Sequence, residues 1–233
     1  MSILEKQTRT APRCIGVIMD GNRRWALARG MPTLEGHRVG YEKVKELLNW
    51  TREASVSYVI LYAFSSENWN RSPEEVSYLM KLLKRACREE VKNFKKENTR
   101  VRVIGERARL PQDVTEAIEH AEKETEQCTG ETLVLAISYG GRDELVEAAR
   151  KLCGKAPEEI TKETFASVLW TAGIPDPEFI IRTSGEQRLS NFLLWQAAYS
   201  EFFFSKTLWP DFSKEEFFQI LKEYAARERR FGA

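Results

Sequence analysis

The chain carries almost no net charge: 36 basic residues stand against 35 acidic ones in 233. That balance excludes bulk attraction to nucleic acid or to an anionic membrane, so any anion site has to be assembled locally. Cysteine is scarce and scattered. Cys14, Cys87, Cys128 and Cys153 form no CxxC pair, which excludes a zinc-ribbon pattern and a dense disulfide framework and fits free thiols in a reducing cytosol. No apolar run reaches the ~18–20 residues that span a bilayer. The opening MSILEKQTRTAPR lacks the apolar core of a secretory signal. Internal repeats and low-complexity linkers are also missing. What remains is ordinary globular composition, 42% hydrophobic and 30% charged. The length suffices to bury roughly 70–75% of the unfolded surface. A soluble, cytoplasmic protein is expected, even if its substrate is oily.

The elements that are present alternate. Strands are expected at Cys14–Met19, Ser57–Phe64, Arg100–Ile104, Thr132–Ser138 and Glu178–Ile181. Between them the apolar spacing predicts helices over 37–54, from Ser72-Pro73 to about Glu97, over 111–127 and over 143–153. Shorter helices are expected at 161–172, 191–198 and 214–226. Strands spaced by helices predict an α/β fold, a single domain with a largely parallel central sheet flanked by helices. Residues 1–13 are read as a flexible N-terminal segment and 14–233 as that domain, with the stretches 28–36 and 183–191 as its candidate mobile loops.

Three of the expected strands run straight into polar chemistry, and parallel sheets bind ligands beyond the carboxyl ends of their strands. The first ends at Asp20, followed by Gly21-Asn22-Arg23-Arg24-Trp25. A carboxylate there can ligate magnesium while glycine and amide open a helix start that donates to phosphate. Helix capping by Asp20 explains Asp-Gly alone but not the amide, arginines and tryptophan together. The second strand gives Ser65-Ser66-Glu67-Asn68-Trp69-Asn70-Arg71, in which Ser65 and Asn68 suit hydrogen bonding to a substrate, Glu67 suits orienting a basic residue, Trp69 walls or stacks, and Arg71 suits binding phosphate. The last gives Arg182-Thr183-Ser184-Gly185 through Arg188-Leu189-Ser190, a second anion site with Arg182, Arg188 and Ser190 as donors. His37 is either structural or a phosphate donor. Glu201, a lone acid beside Phe202-Phe203-Phe204, belongs with a cation or a metal. In YGGR at 139–142 the glycines most simply make a turn. Apolar helix residues such as Leu79, Met80, Leu82 and Leu83 are ordinary core or, if the helices splay, the wall of a hydrophobic tunnel between sheet and helices.

Taken together, MDGNRRWA, GH at 36–37, YAFSSENWNR, YGGR, IRTSGEQRLSNFLLWQ, AYSEFFF and LWPDF resemble the cis-prenyltransferases, the group that includes undecaprenyl diphosphate synthases. The resemblance runs from about Cys14 to Gly232, and the chain lacks the paired DDxxD motifs of the trans enzymes. It implies a Mg2+-dependent transferase that joins isopentenyl diphosphate to an allylic diphosphate, such as farnesyl diphosphate, with a new cis double bond. By that resemblance Asp20 is the catalytic, magnesium-binding aspartate. Gly21, Asn22, Arg23, Arg24, Trp25 and His37 hold the allylic diphosphate. Ser65, Ser66, Glu67, Trp69 and Arg71 contact substrate, and Asn68 is the proposed proton acceptor. Arg182, Arg188, Leu189 and Ser190 bind isopentenyl diphosphate, and Glu201 is a second magnesium ligand, its site shared with a partner subunit. The resemblance further implies a homodimer, whose Arg230-Phe231-Gly232 tail reaches the partner's site, and peripheral membrane association through the lipid product.

Four positions depart from the family pattern: Cys14 stands for histidine, Arg23 for glycine, Thr33 for arginine and Gln187 for histidine. Two rival readings are a non-catalytic subunit of a prenyltransferase complex, which would be expected to have lost its catalytic residues, and a phosphatase. The phosphatase chemistry wants two aspartates spaced by two, whereas Ile18 and Asn22 flank Asp20 at those positions.

Overall fold

The computed structural model describes residues 11–227, so most of the expected N-terminal segment and the Arg230-Phe231-Gly232 tail lie outside the described residues. Six strands, β1 (Cys14–Ile18), β2 (Tyr58–Ser65), β3 (Arg100–Ile104), β4 (Thr132–Tyr139), β5 (Phe179–Arg182) and β6 (Glu201–Phe204), form one sheet in the order β3-β4-β2-β1-β5-β6. Every pairing is parallel. The helices are α1 (Asn22–Leu27), α2 (Thr33–Glu53), α3 (Pro73–Glu89), α4 (Val91–Lys96), α5 (Gln112–Glu124), α6 (Gly141–Leu152), α7 (Lys162–Ser167) and α8 (Lys214–Ala226).

β1 is buried at all five positions, the uninterrupted burial of a central parallel strand covered on both faces. The chain leaves β1 toward β2 on one side and leaves β5 toward β6 on the other. Adjacent strands whose connections diverge make a topological switch point, where parallel sheets open a crevice. Asp20 follows β1 and Arg182 ends β5.

Trp209 fixes that edge. Wholly buried, it contributes about 1.5–3 kcal/mol through burial alone. Its indole N–H donates to the Gly40 carbonyl at 2.8 Å and its backbone N–H to the Asp20 carbonyl at 3.0 Å. α2 meanwhile presses on α1 through glycines. A Cβ on Gly36 would stand 2.0 Å from the Asn22 carbonyl oxygen, and one on Gly40 2.2 Å from Asn22 Oδ1. Only bare backbone lets the helix bearing His37 come this near the turn after Asp20.

Several expected elements change. The long helix from Pro73 carries one irregular residue at Glu90, although the Glu90 N–H still bonds Ala86 and Phe94 still bonds Glu90. The Glu90 carboxylate is drawn aside by Tyr41, Lys45 and Asn93. The helix expected over 191–198 shrinks to a 3-10 turn at Gln196–Tyr199. Ser190, Asn191 and Leu193 adopt φ of 49°, 66° and 47°, left-handed values that no α-helix accepts. Tertiary bonds enforce them: Asn191 accepts the Gly141 and Arg142 backbone N–H groups at 2.7 and 2.8 Å. The helix expected at 161–172 stops at Ser167. The loop expected over 28–36 ends sooner, because α2 opens at Thr33. The aromatic run after Glu201 is the edge strand β6, paired with β5.

Candidate active site

A cleft of about 620 Å³ opens at the carboxyl ends of β1, β2 and β5. It brings together Asp20, Asn22, His37, Ser65, Glu67, Asn68, Arg71, Arg182 and Ser190 from the residues expected in the site. A contiguous mouth of about 400 Å³ adds Gly21, Arg23 and Arg24 and shares Asp20, Asn22, His37 and Arg71.

Asp20 sits on the cleft floor between two guanidinium groups. Arg182 donates to Oδ2 at 2.8 Å and Arg24 to Oδ1 at 3.3 Å, while the Asp20 N–H donates to Thr183 Oγ1 at 3.0 Å. Burial alone would raise its pKa. The hydrogen bonds from Arg182 and Ser184 and the charges of Arg182 and Arg24 outweigh that, and the carboxyl is held below its ordinary 3.8. Arg182 is itself 4% exposed. Its other nitrogen donates to the Arg188 carbonyl at 2.5 Å and to Ser190 Oγ at 2.7 Å, so one residue joins the Asp20 floor to the 182–190 loop. Arg24 also donates to Ser184 Oγ at 2.6 Å.

On the far wall, the Asn68 amide oxygen accepts the Ser65 N–H at 3.2 Å and closes the turn after β2. Asn191 donates to Glu67 Oε1 at 2.8 Å, tying that turn to the 182–190 loop. Burial pulls the His37 pKa below 6.5 against the opposing bond to Glu75. Arg23 lies 3.8 Å from Glu75.

Other expected residues stand elsewhere. Trp25 turns into the protein, donating to Asp211 Oδ1 at 2.7 Å under the Arg29 guanidinium. Trp69 donates to Ser138 Oγ at 2.9 Å and packs edge-on to Phe64. Neither lines the cleft or its mouth. The same holds for Ser66, for Leu189, which packs on the core, and for Arg188, whose exposed side chain pairs with Glu186 at 2.5 Å. Glu201 is farthest away. It is in register with Phe179 and thereby with Ile15, at the amino end of the sheet. The three strand steps from Ile15 to Ile18 cover about 10 Å at ~3.3 Å per residue, and Asp20 follows beyond them. Within one chain these two carboxylates stand too far apart to share an ion. Glu201 instead pairs with Arg227 at 3.0 Å.

Sequence reasoning passed over Tyr62, Glu75, Asn191 and Leu194. Tyr62, Asn191 and Leu194 line the cleft. Asn191 directly follows a singled-out motif, which was a usable signal; Glu75 reads as an ordinary first-turn acid of α3. Arg142, read only as part of a turn, also lines the cleft.

The polar cleft leads into an apolar one. A cavity of about 120 Å³ between β2, α2 and α3 shares Met19, Asn22, His37, Ala63 and Leu79 with it and continues past Val44, Leu83 and Ala86. A charged mouth that opens on an apolar slot suits an amphiphile with an anionic head and a hydrocarbon tail.

Comparison with known proteins decides the family. Residues 18–232 match the family model described as "Putative undecaprenyl diphosphate synthase". The chain belongs to the undecaprenyl diphosphate synthase family. It is 52% identical over 227 residues to the isoprenyl transferase of Rhizobium meliloti (strain 1021), covering 95% of this chain and 92% of that one. Among solved structures, lavandulyl diphosphate synthase from Lavandula x intermedia, in complex with dimethylallyl diphosphate, superposes with a TM-score of 0.93 at 36% identity, covering 96% of this chain and 99% of that one. A probable undecaprenyl diphosphate synthase from Campylobacter jejuni gives 0.80, also at 36% identity, covering 95% and 99%. The expected fold and enzyme class are borne out: this family member is a prenyltransferase with a six-stranded parallel sheet. Among the described residues no helix is long and apolar enough to cross a membrane.

Proposed function

We propose that this prenyltransferase condenses isopentenyl diphosphate with an allylic diphosphate, farnesyl diphosphate among them, to give a cis-polyprenyl diphosphate. The observation that carries the reading is the Asp20–Arg182 pair, which joins two cation-lined anion sites at one switch point beside an apolar slot. The allylic diphosphate occupies the mouth formed by Gly21, Asn22, Arg23, Arg24, His37 and Arg71, with its hydrocarbon tail in the slot. Dimethylallyl diphosphate, bound by the Lavandula enzyme, is a ligand of this chemical class. Isopentenyl diphosphate is held by Arg182, Arg188 and Ser190, and the exposed Arg188 swings from Glu186 onto it.

The donor set fits magnesium. Among the described residues no group of three acidic, histidine or cysteine ligands exists. Magnesium, however, binds one or two carboxylates together with substrate phosphates rather than an all-protein cage, and Asp20 is one ionised carboxylate at the head of a cation-lined cleft. Asp20 would hold the ion, which when bound would neutralise charge on the departing diphosphate. The residues of the chain do the rest. Arg24 and Arg71 stabilise the leaving diphosphate, and Arg182 and Ser190 orient the alkene of isopentenyl diphosphate toward the allylic carbon. Asn68 spends its amide oxygen on Ser65, so its NH2 group positions the water or diphosphate oxygen that takes the proton.

The protein works as a homodimer built on the edge strand β6 and the turn before it, where Phe204 and Tyr199 are 39% and 87% exposed. Glu201, on that same strand, serves the partner's site. The enzyme is cytoplasmic and meets the membrane peripherally through its lipid product. Purified chain alone, given radiolabelled isopentenyl diphosphate, farnesyl diphosphate and magnesium, is expected to incorporate label into an extractable polyprenyl product. Absence of incorporation favours a non-catalytic subunit.

A further inference from the structure

Glu75 belongs to none of the motifs and lines neither the cleft nor its mouth, yet it touches both from behind. It is the third residue of α3, where its N–H donates to Ser72 Oγ at 3.3 Å, and it is 7% exposed. Arg71 donates to Oε1 at 2.7 Å and His37 Nε2 reaches the same oxygen at 3.1 Å, while Arg23 stands 3.8 Å from Oε2. These partners come from three separate pieces of chain: α1, α2 and the turn before α3. All three of them line the mouth.

A buried carboxylate among convergent cations does two things. It cancels the repulsion that would drive Arg71 and Arg23 apart, and it fixes each donor's direction through charge-assisted bonds. It also commits His37 Nε2, so that Nδ1 is the ring nitrogen left for other contacts. Burial would raise the Glu75 pKa, but the charge of Arg71, the His37 bond and the charge of Arg23 hold it below 4.5, so the counter-ion persists at neutral pH.

We propose that Glu75 is a positioning residue for the allylic half of the site, holding Arg71, His37 and Arg23 in one convergent arrangement before the diphosphate arrives. The proposal rests on the mouth being the allylic diphosphate site. Its reach is selective: among the described residues the hydrogen bonds and ion pairs of Glu75 run to His37, Arg71, Arg23 and Ser72, not to Arg182, Arg188 or Ser190.

The test compares wild type, Glu75→Gln and Glu75→Asp in the condensation assay, with the KM for each substrate measured separately and thermal melting run alongside. Wild-type turnover tests the functional reading; the split between the two KM values tests the role of Glu75. Glu75→Gln is expected to raise KM for farnesyl diphosphate about tenfold and to change KM for isopentenyl diphosphate less than about twofold. Glu75→Asp should recover part of the loss. In an Arg71→Ala background the Glu75→Gln change should cost markedly less than it does alone. Equal rises in both KM values, or unchanged kinetics in Glu75→Gln, would overturn the proposal. If wild type shows no condensation, calorimetric binding of farnesyl diphosphate decides: weaker binding to Glu75→Gln supports the role, and equal affinity rejects it.

Discussion

The Arg182 guanidinium, nearly inaccessible to solvent, donates to the Asp20 carboxylate at 2.8 Å and to Ser190 Oγ at 2.7 Å. Asp20 follows β1 and Arg182 ends β5, so the pair bolts together the two strands that flank the switch point. It also keeps Asp20 ionised throughout the neutral range, as a ligand for a divalent cation requires. The cleft floor and the 182–190 loop are thus one electrostatic unit.

Arg188 is the exposed member of that unit. Its side chain is 59% exposed and bound to Glu186 rather than buried in the cleft. Arg188→Ala is expected to raise KM for isopentenyl diphosphate by about tenfold or more, the cost of one charge-assisted contact, and to leave thermal stability unchanged. Steady-state kinetics with each substrate varied in turn checks this, and an effect confined to the allylic substrate would contradict the assignment.

Ala86 lines the apolar cavity two helical turns beyond Leu79, which borders the polar cleft. The seven intervening steps put it about 10 Å deeper along α3 at 1.5 Å per residue. Ala86→Trp should block the slot and shorten the product while sparing KM for isopentenyl diphosphate. Chromatographic sizing of the extracted polyprenyl chains reads the result.

Stability has its own titrating group at the opposite end of the sheet. Burial pushes the Glu131 carboxyl up to about 7, and the Thr51 hydroxyl and the Arg52 charge at 3.7 Å offset this only in part. A carboxyl whose folded pKa exceeds its unfolded value near 4.5 leaves stability untouched below that lower value. Between the two it lowers stability progressively, and the full penalty applies above pH 7. Glu131→Gln should therefore stabilise the protein by about 1–3 kcal/mol at pH 8 and by little at pH 4.5. Urea titrations at the two pH values make the comparison.

Much of the architecture was legible from the chain because its strands are apolar runs that stop abruptly at charged residues. Asp20 and Arg182 could be assigned to one sheet edge before any coordinates, since parallel strands carry their ligand chemistry at the carboxyl end. The misread segments are those where tertiary bonds overrode local preference. Asn191 leaves helical geometry to hold Gly141 and Arg142. Trp25 and Trp69 satisfy their indole N–H groups inside the protein, at Asp211 and Ser138, and periodicity does not reveal which way a tryptophan at a helix start will turn. Strand register, absent from the sequence, is what separates Glu201 from Asp20. Glu75 was hidden because its position three residues after Ser72 already has a local explanation as the first turn of a helix.

The central claim is that Asp20 anchors a two-diphosphate condensation, and the Asp20→Ala chain tests it most directly. Circular dichroism first establishes that the variant is folded. Incorporation of radiolabelled isopentenyl diphosphate is then measured with farnesyl diphosphate and saturating magnesium. The account predicts a fall of about a thousandfold or more, the scale of losing a principal electrostatic anchor of the transition state. Turnover by folded Asp20→Ala at the wild-type rate would contradict it.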